Sequence, residues 1–326
     1  MSPSIYIDDR FKLLQSVSSG AQGQVFIAWD YRTRQKVAVK IMKYGENYDS
    51  EVKAYSQLKG LPGIPELYWK GEDDRNHIVA IELLGPDLCE MFEKCKSHFS
   101  EKTVLMLAVQ LICRLQSIHS RNCVHRDIKP DNVLMGLGSK ANRVYVADFG
   151  LLEKYHPKGA SEAFKRDWHR CTKHPTKGVD PIGTEIYSSW RSHYEKPQQT
   201  PWDDMQSLGY MLIRLRKGRL PWEQIKLRRG TQRDATVAHM KRTIKVSELC
   251  DGLPVEFRLY FEHLSPFCAT PNYDYLRKNF EKLFKRRKYA DDQMYDWMKI
   301  EEEEKLYHEL RQRERDRFMR DFMMHR

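Results

Sequence analysis

A chain of 326 residues, 40% apolar and 31% charged, can bury a sizeable core as one large or two modest domains, which excludes a collagen, a disordered tail protein and a multi-span membrane protein. No window approaches the ~18 consecutive apolar residues of a spanning helix. The start, MSPSIYIDDRF, lacks the basic and apolar regions of a signal peptide, so a cytoplasmic or nuclear location and no membrane contact are expected. The net charge of +11 suggests anionic partners and says nothing about fold.

The first 80 or so residues alternate β-rich runs with turn residues: FKLLQSV, GQVFIAWD, KVAVKIM and HIVAIEL. This is the pattern of a small antiparallel sheet, expected to have five strands. Between the third run and the fourth, YDSEVKAYSQLKG reads as one short helix closed by Gly60. After GPDL the pattern becomes helical. A long core helix is predicted from Glu101 to about Arg121, because Val104, Leu107, Ala108, Leu111, Leu115 and Ile118 recur at helical spacing. Ser100 is its N-cap, and Phe99 with Val104 is a candidate hydrophobic staple. Further helical patterns lie near 203–217, 255–264 and 274–286. The last segment, 300–326, opens with four acids and continues with basic residues, which suits one charged helix with Glu301 to Lys305, Glu309 to Arg313 and Asp316 to Arg320 at i, i+4 spacing. The seven cysteines are odd in number and form no CxxC pair, which fits reduced thiols.

Four separated motifs, in one order, point to phosphoryl transfer. Val17-Ser18-Ser19-Gly20-Ala21-Gln22-Gly23-Gln24-Val25 lies across a predicted strand, turn and strand. A loop folding over a triphosphate needs glycine so that its amides can approach the phosphate oxygens; taken alone, a glycine-containing hairpin accounts for it. On the next strand, Val37-Ala38-Val39-Lys40 can aim its lysine into a cleft toward the α- and β-phosphates. Glu51, on the inward face of the short helix, supplies the anion that holds it.

The third motif is His125-Arg126-Asp127-Ile128-Lys129-Pro130-Asp131-Asn132, followed by Asp148-Phe149-Gly150. In-line transfer to a hydroxyl needs a carboxylate to orient the acceptor and take its proton, the role of Asp127. It also needs metal ions on the phosphates, held by Asn132 and Asp148. Lys129 can neutralise the transferring phosphate. The fourth motif is Gly183-Thr184-Glu185-Ile186-Tyr187, where Thr184 would hydrogen-bond Asp127 and Lys129. Downstream, Asp204 in WDDMQSLGY is placed to hold the catalytic loop by its amides.

The basic excess is local. Residues 154–180 carry seven Lys/Arg against three Asp/Glu, and 214–245 carry eleven against two. Solvated faces would account for both until the chemistry is located. Nucleic acid is not expected as a partner, since no binding module is recognisable and aromatics are sparse in 214–245.

With these residues in hand the sequence resembles the eukaryotic protein kinases, and within them the casein kinase 1 family. The resemblance spans about Phe11 to Ile300 through IELLGPDL, FSEKTVLMLA, HRDIKPDNVLMGLG, GTEIYSS, SLGYML, PNYDYLRKNF and MYDWM. It implies an α+β, bilobal kinase fold, with a small antiparallel β-sheet lobe carrying one helix and a larger, mainly helical lobe. The expected division is an N-terminal segment 1–10, a kinase domain 11–299 split into lobes 11–84 and 85–299, and the charged helix 300–326.

The resemblance further implies a monomeric serine/threonine kinase using ATP and Mg2+, acting on proteins with acidic or phosphorylated segments. Val17, Ser18, Ser19, Gly20, Gly23, Val25, Ala38 and Lys40 would surround the nucleotide. Ile81 would stand at the gatekeeper position, with Glu82 and Leu84 offering hinge backbone groups to adenine.

Three departures stand out. Ser18 replaces a loop glycine. The family motif GTARY reads GTEIY here, so the arginine that would meet a priming phosphate is Ile186; Lys173, Lys177, Arg191, Lys226, Arg228 and Arg229 are the candidates to replace it. The stretch between Gly150 and Gly183 is long and holds His169, Cys171 and His174, whose spacing matches no standard zinc finger. The alternative reading, motivated by Ser18 and the altered platform, is a kinase-fold scaffold with weak or no catalysis.

Overall fold

The protein is described by a computed structural model covering residues 6–20, 23–44, 48–73, 75–156, 181–194, 198–228, 230–264 and 270–302, with 304, 309, 311 and 312 beyond. The alternating runs pair as one antiparallel sheet built from β1 (Tyr6–Ile7), β2 (Phe11–Gly20), β3 (Gly23–Asp30), β4 (Gln35–Lys43), β5 (Leu67–Glu72) and β6 (Asn76–Glu82). The spatial order is β1-β2-β3-β4-β6-β5. Helix α1 (Tyr48–Leu58) follows β4. The sheet has six strands where the sequence pattern predicted five. Asp8 and Asp9 take positive φ of 52° and 47°, turning the chain so that Tyr6 and Ile7 pair with Lys12 and Phe11. Half of the expected N-terminal segment therefore belongs to the first lobe. Two apolar residues with no alternating neighbours were too short a signal for periodicity to register.

The period of two sets what each strand face meets. Val37 and Val39 are fully buried with Phe11, Ala28, Ile78 and Ala80 in the core of the small lobe. Residues two apart on a strand, and residues directly opposite, share a face. Lys40 is opposite Val25, and Ala38 is opposite Ile27 and Ile81. Val25, Ala38, Lys40 and Ile81 thus line the other face.

The larger lobe is helical. α2 (Leu88–Lys94) is capped by Asp87, which accepts from the Glu90 amide. α3 (Glu101–His119) is capped by Ser100, which accepts from Thr103. Leu107, Leu111, Leu115 and Ile118 of α3 have no solvent exposure, each worth about 2 kcal/mol of transfer free energy. Phe99 is buried against Phe92 and Trp297 at centroid distances of 5.4 and 5.3 Å, in the same core as Val104. Short strands β7 (Cys123–Val124), β8 (Val133–Met135), β9 (Val144–Val146) and β10 (Glu153–Lys154) frame the loops between the lobes, with β8 paired to β9 and β7 to β10.

α4 (Pro201–Lys217) starts with a capping box between Thr200 and Asp203 and ends at Gly218, whose φ of 86° is left-handed. α5 (Thr231–Thr243), α6 (Val246–Leu249), α7 (Val255–His263) and α8 (Tyr273–Arg286) complete the lobe, with α8 packed on α3. α5 and α6 have no counterpart in the sequence pattern. On α5 the buried positions are Asp234, Val237, Ala238 and Lys241; the spacing is helical, but charge occupies half of it. Residues 296–302 are helical, and Glu301 and Glu304 pair with Lys94 of α2, each at 3.3 Å. The partners expected for the terminal helix, Lys305, Arg313, Asp316 and Arg320, lie outside the described residues, as do His169, Cys171, His174, Lys173 and Lys177. Among the described residues no helix is long and apolar enough to cross a membrane.

Candidate active site

Lys40 leaves β4 on the cleft face. Its ammonium lies 2.8 Å from Glu51 Oε2 on α1 and 3.3 Å from Asp148 Oδ1 on the far lobe. Burial works against the charge, yet Glu51 and Asp148 outweigh it and hold the Lys40 pKa above its ordinary value. One side chain so ties sheet, helix and opposite lobe together. Above it, β2 and β3 close as a hairpin with Ser18 opposite Val25, Ser19 opposite Gln24 and Gly20 opposite Gly23. Gly23 has φ 110° and a Cβ there would overlap the Ile41 carbonyl, so the hairpin lies flat on β4 only with glycine. Val17 and Ser18 are exposed at a register shift in β2; Ala21 and Gln22 lie outside the described residues.

Asp127 sits at the floor of the cleft and is 6% exposed. Four donors converge on its carboxylate. The Thr184 amide and hydroxyl donate to Oδ1 at 2.9 and 2.8 Å. Asn132 Nδ2 donates to Oδ2 at 3.0 Å and Lys129 Nζ is 2.9 Å from the same oxygen. Burial would raise its pKa, but the Lys129 charge and hydrogen bond, with Thr184 and His125, more than offset that, and the carboxyl is held below its ordinary value. It is a carboxylate at neutral pH, as an acceptor of a hydroxyl proton must be. Gly183 has φ 89° and a Cβ there would overlap the Arg126 carbonyl; glycine lets the platform of Thr184 press onto the catalytic loop.

The loop is held from beneath. Buried Asp204 accepts from the His125 and Arg126 amides at 2.7 and 2.8 Å and from His119 Nε2 at 2.9 Å. Tyr273 of α8 donates to His119 Nδ1 at 2.6 Å. The Asp127 amide donates to His125 Nδ1 at 3.3 Å, and His125 Nε2 donates to the Ala147 carbonyl at 3.1 Å. Phe149, fully buried, meets Tyr55 of α1 and His125 edge-on at 5.2 and 5.5 Å. A continuous buried column therefore runs from α1 through Phe149 and His125 to Asp204. It fixes the positions of both Glu51 and Asp148 relative to Asp127.

The residues present fit a divalent cation bound with phosphates. Asn132 spends its Nδ2 on Asp127, through both the main-chain carbonyl at 2.8 Å and Oδ2, which directs the amide oxygen away from Asp127. Asp148, with left-handed φ of 61°, presents a carboxylate one quarter exposed to the cleft. Two oxygen ligands with the rest drawn from water and phosphate suit Mg2+. At the hinge, the Glu82 amide donates to the Glu66 carbonyl at 2.8 Å and its carboxylate accepts from Lys140 at 2.6 Å, with Leu83 and Leu84 outside any strand or helix between β6 and α2.

The family model for the protein kinase domain matches residues 11–262, most of the chain. The chain belongs to the protein kinase family. Protein kinases transfer a phosphoryl group from ATP with a divalent metal, and the geometry above supplies each group that transfer requires from the protein.

Two corrections concern the kinase's basic residues. Arg191 was a candidate for substrate anions; it is fully buried, 3.2 Å from Asp203, with Nη2 donating to the Gln198 carbonyl at 3.2 Å. It braces the start of α4 and is closed to substrate. The second basic segment is also largely spent internally. Arg214 pairs with Glu223 at 3.0 Å and Lys217 donates to the Asp251 carbonyl at 3.1 Å. Arg233 and Lys241, which sequence reasoning did not single out, hold the platform. Arg233 pairs with Glu185, and Lys241 donates to the Glu185 and Ser188 carbonyls at 2.5 and 2.7 Å. Burial pushes the Lys241 amine well below the ordinary lysine range, against the charge of Glu185. Lys226 and Arg228 are exposed; Arg229 lies outside the described residues. The helical spacing of Lys241 with Val237 and Ala238 is the one signal that could have marked it as inward.

Proposed function

We propose that the protein is a serine/threonine kinase of casein kinase 1 type, working in the cytoplasm or nucleus as a monomer and transferring the γ-phosphate of ATP, with Mg2+, to proteins with acidic or phosphorylated segments. The observation that carries the reading is the convergence of Lys129, Asn132 and both donors of Thr184 on Asp127. Thr184 belongs to the platform on which a substrate backbone rests, and its direct contact with the base brings that backbone close. A close backbone favours a short acceptor side chain, serine or threonine, over the longer tyrosine. Asp127 orients the hydroxyl and takes its proton. Lys129 offsets charge on the transferred group, Lys40 steadies the phosphates, and a metal held by Asn132 and Asp148 would supply further charge neutralisation.

The acidic-substrate preference rests on exposed Lys226 and Arg228 beside the platform and on the sequence resemblance. The reading is tested by Asp127→Asn, which keeps the shape and removes the carboxylate. Phosphate transfer to casein is expected to fall by about 10^3-fold or more, with the melting temperature in excess nucleotide unchanged within a few degrees. Transfer at the wild-type rate would refute it, and an inactive wild type that still binds nucleotide would favour the scaffold alternative.

A further inference from the structure

Arg233 is built as an anion site. Its Nη1 donates to the Ile225 and Leu227 carbonyls at 2.6 and 3.3 Å, so the loop before α5 fixes the guanidinium before any anion arrives. Its Nε then donates to both carboxylate oxygens of Glu185, at 3.0 and 3.1 Å. Both side chains are 15% exposed, at the surface of the substrate platform. Glu185 directly follows Thr184, which contacts the base. The flanking Lys226 and Arg228 are exposed and add positive field to the same loop.

The platform does not need this pair to hold its shape. The Glu185 carbonyl is held by Lys241 at 2.5 Å, the Ser188 carbonyl by the same amine at 2.7 Å, and the Ile186 carbonyl by Trp222 Nε1 at 2.8 Å. Trp222 is buried, and Lys241 lies 5.1 Å from its ring. The backbone is thus anchored through its oxygens, and the Glu185 side chain serves only Arg233 among the described contacts. A carboxylate and a phosphate offer a guanidinium the same kind of charged oxygen pair.

We propose that Glu185 is a built-in occupant of an oxyanion site on Arg233, and that it thereby sets whether the kinase discriminates phosphorylated from unphosphorylated peptide. The carboxylate fills the position that a phosphate group on the substrate would take, so the wild-type enzyme gains little at this position from a phosphorylated substrate. Its preference for negative charge then comes from Lys226 and Arg228. Removing the carboxylate opens the site to a tetrahedral oxyanion. The inference rests on the substrate class proposed above, but the Arg233 site itself can be read without catalysis.

The experiment compares wild type, Glu185→Ala, the near-isosteric Glu185→Gln and the double variant Glu185→Ala/Arg233→Ala. Labelled peptides carry a single phosphoserine scanned through the positions around the acceptor, each against its unphosphorylated twin, and fluorescence anisotropy gives both affinities. Glu185→Ala is expected to raise the phosphorylated-to-unphosphorylated affinity ratio by about tenfold at one or two positions. Glu185→Gln should raise it less, and the double variant should return it to the wild-type value. Inorganic sulfate should raise the melting temperature of Glu185→Ala more than that of the wild type, and this difference should vanish in the double variant. These readouts hold whether or not the chain transfers phosphate, so failure of the catalytic reading leaves them intact. Equal ratios in wild type and both single variants, with no added sulfate effect, would overturn the proposal, since a merely structural ion pair changes stability without changing selectivity.

Discussion

Asp204 shows how a single buried charge supports the chemistry. It is 1% exposed, and burial alone would push its pKa up; the hydrogen bonds from His119 and from the His125 amide more than offset this, holding it below the ordinary value. A carboxyl depressed in the folded state contributes stability that is fully present above its unfolded pKa of ~3.9 and is lost as pH falls through the folded value. Melting temperature should therefore drop as pH goes from about 5 to 3. Asp204→Asn should lose about 3 kcal/mol at pH 7 and show a shallower fall over the acid range; equal slopes in the two proteins would exclude this role. At this scale the sequence was informative wherever chemistry demands one residue type at one spacing, as for Lys40, Asp127, Asn132 and Asp148. It was uninformative for arginines. Arg191, Arg228 and Arg233 look alike in the chain, and only long-range pairing with Asp203 or Glu185 separates a brace from an open charge.

Among the elements, α3 was legible because its buried face is apolar and its cap is marked by Ser100, whereas α4 was placed only near 203–217, without its Thr200 cap, because its buried residues include Asp203, Asp204, Gln206 and Ser207. α5 was not legible, because two of the four positions on its inward helical face, Asp234 and Lys241, are charged residues that composition assigns to solvent. The basic run before it now divides in two. Charges tied inward shape the platform, while Lys226 and Arg228 are exposed and, with Arg229 next in the sequence, are the residues we propose meet substrate. Charge reversal at these three positions is expected to raise KM for acidic peptides about tenfold or more with little change in kcat, the pattern of lost uniform binding. Steady-state kinetics on acidic and neutral peptides of equal length check this, and an unchanged KM would discard the assignment.

Across the whole molecule, the change from a two-residue to a helical period near GPDL falls between β6 and α2, and motifs on both sides of it implied a cleft. What the sequence could not specify was how the lobes register on one another. That register comes from the Lys40–Asp148 contact and the Phe149 column, neither of which is local. A nucleotide bridging the lobes stabilises the folded state by about 2.7 kcal/mol at a hundredfold excess over Kd. Thermal melts should show a rise of several degrees with ATP and a further rise on adding Mg2+. In Asp148→Asn the magnesium increment should disappear while the nucleotide effect persists; retention of that increment would remove Asp148 from the metal site.

The outermost strand carries a practical consequence. β1 covers the free edge of β2, and Arg10 at its base pairs bidentately with buried Asp30, at 2.8 and 2.6 Å. A protein trimmed to residue 11, where the family match begins, would retain every catalytic group. It would also leave Asp30 buried without its cation and expose a row of unpaired strand amides and carbonyls, a template for edge-to-edge association. Such a shortened enzyme is expected to self-associate and to melt several degrees lower, as light scattering and calorimetry would register, so residues 6–10 serve as the sheet's guard against its own copies.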